Sequence, residues 1–157
     1  MFETIVWATD GSELADRALP VVSELARACG SRVVAVHANA VLPSRMGGVP
    51  MLADEEDLVA KVEEQVAELR AAGFRAELKV ETGDHSGVAG LIVAAAQTAG
   101  ADLIVVGTHG RNAAATALLG SVARDLLHRA SCPVLVVTPA SEPAATAASG
   151  QAVAGRA

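Results

Sequence analysis

Five short apolar runs recur along the chain, and stretches with helical spacing of apolar residues separate them. The first run, residues 4–9 (TIVWAT), leads into Asp10-Gly11-Ser12. Ser12 is placed to cap a helix whose apolar face reads Leu14, Ala18, Val21, Leu25 and Cys29, and Gly30 stops it. Pro20 removes a backbone donor inside this stretch and predicts a kink near Leu19. The second run, residues 32–37 (RVVAVH), is apolar almost throughout, as in a strand buried on both faces. Pro43, Gly47, Gly48 and Pro50 make residues 39–53 a long connection. A helix over residues 54–72 follows, striped by Leu58, Val62, Val66 and Leu69, with acids in its first turn and Gly73 at its end.

The third run, residues 75–81, sets Ala76, Leu78 and Val80 against Glu77, Lys79 and Glu81. One wet face predicts a sheet edge. A helix over residues 86–99 turns Val88, Ile92, Ala95 and Ala99 inward. The fourth run, residues 103–106, ends in Gly107, the last helix starts near Ser121, and the fifth run is VLVV at residues 134–137. Strand and helix in alternation define an α/β fold, a doubly wound parallel sheet between two helical layers. Residues 1–138 form one domain. Residues 139–157 are Ala-rich with Ser, Gly and Pro, too poor in large apolar residues to offset the entropy of ordering, and are expected to be a disordered tail.

Hydrophobic residues make up 52 % of the chain but aromatic ones only 2 %, so the core is built from Ala, Val and Leu. No apolar run approaches the roughly 18 residues that span a bilayer, and no basic stretch with a cleavage site follows Met1, so a soluble, cytoplasmic protein is expected. The net charge of −6 argues against a partner held by phosphate contacts along nucleic acid, and requires that any anionic ligand be held by local dipoles. Cys29 and Cys132 form no metal-like pattern with the histidines and read as buried free thiols.

In a doubly wound sheet, ligands sit beyond the carboxyl ends of the strands, where the winding reverses. There the chain places Gly107-Thr108-His109-Gly110, nine further residues, and Gly120-Ser121-Val122 opening a helix. Glycines let backbone N–H groups approach an anion, and a helix N-terminus adds unpaired donors and partial positive charge. Ser121 can contribute its hydroxyl while capping that helix. On the glycines alone two readings stand equally, an anion cradle and a set of turns. A Gly-Lys-Ser/Thr loop is absent, and no Gly-x-Gly-x-x-Gly follows the first strand.

The segments GTHGRNAAATALLGSVA and ASCPVLVV, with the opening IVWATDGSELADRAL and the second run RVVAVHA, resemble the ATP-binding universal stress proteins and their Gly-x2-Gly-x9-Gly-Ser motif. The resemblance covers residues 1–138. It implies the adenine nucleotide alpha hydrolase-like fold with strand order 3-2-1-4-5, and ATP as ligand, with Mg2+ arriving on the nucleotide. It places Ala8, Thr9 and Asp10 at the adenosine end, Ala38 at the adenine edge and Gly107 near the ribose. Gly110, Arg111, Gly120, Ser121 and Val122 would hold the phosphates. Asp10 has a second reading as a helix-capping turn residue. The spacer between Gly110 and Gly120 holds a single cation, Arg111, which should weaken triphosphate binding.

His37 reads as a hydrogen-bonded structural residue, His109 as a cradle or turn residue, His85 as a loop residue and His128 as a helix-surface residue. No His or Cys pair has metal spacing. No nucleophile sits beside a persuasive base, so no catalytic residue is expected, with slow ATP hydrolysis allowed. The VLVV strand lies at a sheet edge in the implied order, and pairing of two such edges would give a homodimer. Two other roles remain open: an interaction module of the same family that has lost ATP, and a slow ATPase or adenylate transferase.

Overall fold

The computed structural model describes residues 1–40, 52–83, 87–110 and 119–138. The five apolar runs become β1 (Thr4–Ala8), β2 (Arg32–Ala40), β3 (Arg75–Gly83), β4 (Leu103–Gly107) and β5 (Val134–Val137). They pair in parallel in the order β3-β2-β1-β4-β5. The order reverses between β1 and β4, as expected. Five helices cover the faces: α1 (Glu13–Asp16), α2 (Leu19–Cys29), α3 (Leu52–Ala71), α4 (Gly87–Ala99) and α5 (Ser121–Arg129).

The two-residue period of the strands sorts the core into two layers. Val6, Ala8, Val34, Val36, Ile104 and Val106 face α4 and α5, meeting Ile92, Ala95, Ala96 and Leu126. Ile5, Trp7, Val33, Ala35, Leu103 and Val105 face α2 and α3, meeting Val22, Ala26, Val62 and Val66. Trp7 is fully buried, and among the described residues nothing accepts a hydrogen bond from its Nε1. β3 and β5 form the edges; Ala76 and Leu78 of β3 pack on the core as expected, but the alternation fails at its end, where Val80 is exposed and Glu81 is half-buried.

The stretch after β1 departs from the expected single kinked helix. It breaks into α1 and α2, and Pro20 sits in the first turn of α2, where its missing N–H is harmless. The buried face is accordingly Ala15, Ala18, Val22 and Ala26; of the expected face Ala18 is buried and Leu25 packs partly buried on the core, while Leu14, Val21 and Cys29 are only half-buried. Small side chains let these helices lie close on the sheet. β2 runs three residues beyond the expected end, and Gly120 is the N-cap of α5 without a side-chain cap, so Ser121 is its first helical residue and does not cap it. Cys29 and Cys132 are free, but half-buried. The connection at residues 41–51, His85 in residues 84–86, the spacer at residues 111–118 and the tail from residue 139 lie outside the described residues.

Asp102 joins the starts of the central strands. Its Oδ2 accepts from the N–H of Glu3 at 2.8 Å and of Thr4 at 3.0 Å. The Thr4 bond, then the Glu3 bond, hold its carboxyl below the ordinary value, against a smaller opposing effect of desolvation. A depressed folded pKa means stability that is present above the unfolded value of about 3.9 and lost as pH falls through the folded value. Thermal melts between pH 6 and pH 2 should therefore show a steeper acid loss for the parent than for Asp102→Ala. Parallel pH profiles for the two proteins would refute this role.

Candidate functional site

The first strand exit is tightly bonded. Thr9 N–H donates to Val36 C=O at 3.0 Å, Thr9 C=O faces His37 Nδ1 at 3.2 Å, and Thr9 Oγ1 accepts from Gly11 N–H at 3.2 Å. A carbonyl oxygen only accepts, so the Thr9 contact makes His37 Nδ1 the donor. Its Nε2 meets Glu55 Oε1 at 2.5 Å, and the ring is wholly buried. His37 thus has the structural role expected of it, with a carboxylate partner 18 residues away in sequence.

Asp10 bonds the start of α1. Its Oδ1 accepts from Ser12 N–H at 3.0 Å and Ser12 Oγ–H at 2.6 Å, while Ser12 Oγ caps α1 by accepting from Ala15 N–H at 3.2 Å. Its Oδ2 lies against Gly110, where a Cβ would overlap it. Asp10 thus caps the start of α1 and also lines the cleft, so its two readings are compatible.

The three motif glycines mark places where chain segments close on one another. A Cβ on Gly107 would come to 3.1 Å from the C=O of Leu14 in α1. A Cβ on Gly120 would lie 2.8 Å from Thr108 C=O, the group to which Gly120 N–H donates at 2.7 Å. Gly120 is thereby drawn over the end of β4, and the first turn of α5 points its amides across the reversal point. The first three N–H groups of a helix, here those of Ser121, Val122 and Ala123, have no intrahelical acceptor.

These segments enclose a cleft of about 180 Å³. Ala8, Thr9 and Asp10 line it at the exit of β1, Ala38 from β2, Gly107 and Gly110 at the exit of β4, and Gly120, Ser121 and Val122 at the start of α5. The nine described positions singled out in the sequence thus meet in one place, and Arg111 falls outside the described residues. Sequence reasoning missed one wall. Val88 and Ile92 of α4 line the cleft with Ala15 and Val106, adding apolar surface opposite the polar strand ends. Their four-residue spacing was legible, but Val88 read as a core residue. His109, one of the open candidates, also lines the cleft. Among the described lining residues there is one carboxylate, Asp10, and neither Lys nor Arg.

A five-stranded parallel sheet with a cleft at its reversal point defines the class: a doubly wound α/β domain. The profile of the universal stress protein family matches residues 1–138, and the chain belongs to that family. It is 38 % identical over 145 residues to a Thermus aquaticus universal stress protein encoded in the 3′ region of QAH/OAS sulfhydrylase, covering 87 % of this chain and 99 % of that protein. Among solved structures, an Archaeoglobus fulgidus universal stress protein in complex with dAMP is similar at 27 % identity and a TM-score of 0.62, covering 87 % of this chain and 97 % of that one. A universal stress protein in complex with cAMP matches at 27 % identity and a TM-score of 0.63, with the same coverage. Among the described residues no helix is long and apolar enough to cross a membrane.

Proposed function

We propose that this protein binds an adenine nucleotide, ATP, in the cleft at the sheet's reversal point, and acts as a regulatory stress-response protein. The observation that carries this reading is the convergence of three strand exits and the α5 N-terminus on one cleft. β2 outruns β1, whose last paired residue is Ala8 opposite Val36. Val36 C=O is turned toward β1, where it accepts from Thr9 N–H. Ala38, two residues on, turns the same way past the end of β1, so its main chain faces the cleft and suits an adenine edge. Val88 and Ile92 offer a flat apolar wall for the base. Thr9 contributes less than its position suggested, because its N–H is committed to Val36 and its C=O to His37.

The phosphates meet the α5 amides, a site built of dipoles as an acidic protein requires. Asp10 stands beside them, so a triphosphate calls for Mg2+, with Asp10 Oδ2 the one carboxylate among the described lining residues that could reach it. A monophosphate is the second reading. It is favoured by the absence of Lys and Arg among the described lining residues and by the cAMP and dAMP carried by two similar structures. Dedicated catalysis is not part of the reading, since Ser12 Oγ and Asp10 Oδ1 are spent on the α1 cap. The protein works as a homodimer in the cytoplasm, the two copies joined along β5.

Mass spectrometry of nucleotide released from purified protein, followed by calorimetric titration with ATP, ADP and AMP, tests this. The expected result is a saturable adenine nucleotide site at which Mg2+ strengthens ATP far more than AMP. Tighter binding of AMP than of Mg-ATP would favour the second reading. No heat with any of the three at millimolar concentration would refute both.

A further inference from the structure

The loop that carries Asp10 is positioned from outside the cleft, by one side of α3. Leu58 packs so closely on Gly11 that a Cβ there would lie 2.9 Å from Leu58 Cδ2. Lys61 Nζ donates to Gly11 C=O at 2.7 Å and pairs with Asp16 Oδ2 at 2.5 Å. Gln65 Nε2 donates to the other oxygen of Asp16 at 2.9 Å. On the far side of Asp10, His37 links Thr9 C=O to Glu55. Glu55, Leu58, Lys61 and Gln65 are spaced three or four residues apart and so form one helical stripe. The carbonyls on both sides of Asp10, those of Thr9 and Gly11, are thus held by groups that belong to α3 or rest on it.

Gly11 itself is in the left-handed region, at φ +74°, a conformation with little intrinsic preference to hold the loop in place. Its carbonyl contact to an ammonium supplies that hold. The Lys61–Asp16 pair is partly exposed, with side chains 38 % and 25 % accessible, and as an ion pair contributes little to stability. Its geometric consequence is larger, because it aims Lys61 at the Gly11 carbonyl.

We propose that Lys61 is a positioning residue for nucleotide binding: it fixes the Gly11 carbonyl, keeps Asp10 against Gly110, and ties occupancy of the cleft to α3. The inference rests on the reading of the cleft as a nucleotide site. Lys61→Met keeps the aliphatic stem and loses the donors, whereas Lys61→Arg keeps donors for both oxygens. Calorimetry of the full chain with Mg-ATP should show affinity about tenfold weaker for the Met variant and largely restored in the Arg variant.

Amide hydrogen exchange supplies a readout that loss of stability alone would not give. In the parent, Mg-ATP should slow exchange in residues 55–61 of α3 and in the first turn of α5. In Lys61→Met at saturating Mg-ATP, the α5 slowing should remain while the α3 slowing disappears. Equal affinities for parent and Met variant, or loss of α3 and α5 protection together, would overturn the role of Lys61. A parent that binds no nucleotide sinks the cleft reading and this inference with it, and that failure is seen before any variant is made.

Discussion

Gly110→Ala is expected to abolish detectable nucleotide binding and to lower stability by about 1–3 kcal/mol, the usual range for forcing a methyl group into filled space. The cost is steric and not conformational, because Gly110 is not among the glycines at positive φ. The added Cβ would fall on Asp10 Oδ2, and the carboxylate would have to leave the cradle. A partner substitution separates this from general damage. Asp10→Ala alone loses the two bonds from Ser12, about 1 kcal/mol net. In the double variant the clash is gone, so the combined loss of stability should be smaller than the sum by at least about 1 kcal/mol. Binding should not return. Gly120→Val offers the contrast, since its Cβ would meet the Thr108 carbonyl, which is backbone and cannot be removed. Denaturant melts of the four proteins in the Gly110–Asp10 cycle give the answer, and simple additivity would show that Asp10 does not occupy the space assigned to it.

The β5 edge should control assembly to a comparable degree. Its four apolar residues are half-buried or exposed, and Leu135 is 37 % accessible, one of few large apolar side chains so placed among the described residues. A charge at an apolar edge disfavours pairing with a second copy, and a central interface anchor typically carries 2 kcal/mol or more. Leu135→Lys should therefore weaken the proposed dimer by about thirtyfold or more, with little change in the melting of the fold. Sedimentation at micromolar concentration should give twice the chain mass for the parent and the chain mass for the variant. A monomeric parent, or a variant that stays dimeric, would remove β5 from the interface.

Much of this architecture could be read from periodicity. β1 and β4 are buried at every position because both faces are covered, whereas β3 is half-buried or exposed throughout; the apolar VLVV of β5 is an edge too, so pattern alone did not separate centre from edge. The order of the strands came from resemblance, not from pattern. The first helical stretch was misread because Leu14, Val21 and Leu25 looked like its core face, while the close helix–sheet contact selects the alanines beside them. The cleft was legible in Asp10, Ala38 and the glycines because strand exits and helix starts are local features. The Glu55–His37 and Lys61–Gly11 contacts were not, since each joins elements 18 and 50 residues apart through packing that no local pattern encodes. The wall of Val88 and Ile92 lay between these cases, visible as a stripe but not as facing a ligand.

The single tryptophan gives the molecule an optical property of its own. The chain has one Trp and no Tyr, so its near-ultraviolet emission under selective excitation comes from Trp7 alone. That indole lies at the centre of the sheet, sealed from solvent, with no acceptor for its N–H among the described residues, and next in sequence to the cleft-lining Ala8. Emission from such a site belongs at the blue end of the tryptophan range. Water reaching the layer beneath α2 and α3 would shift it to the red, so the intact protein, without any label, carries a gauge of how tightly its central layer is closed.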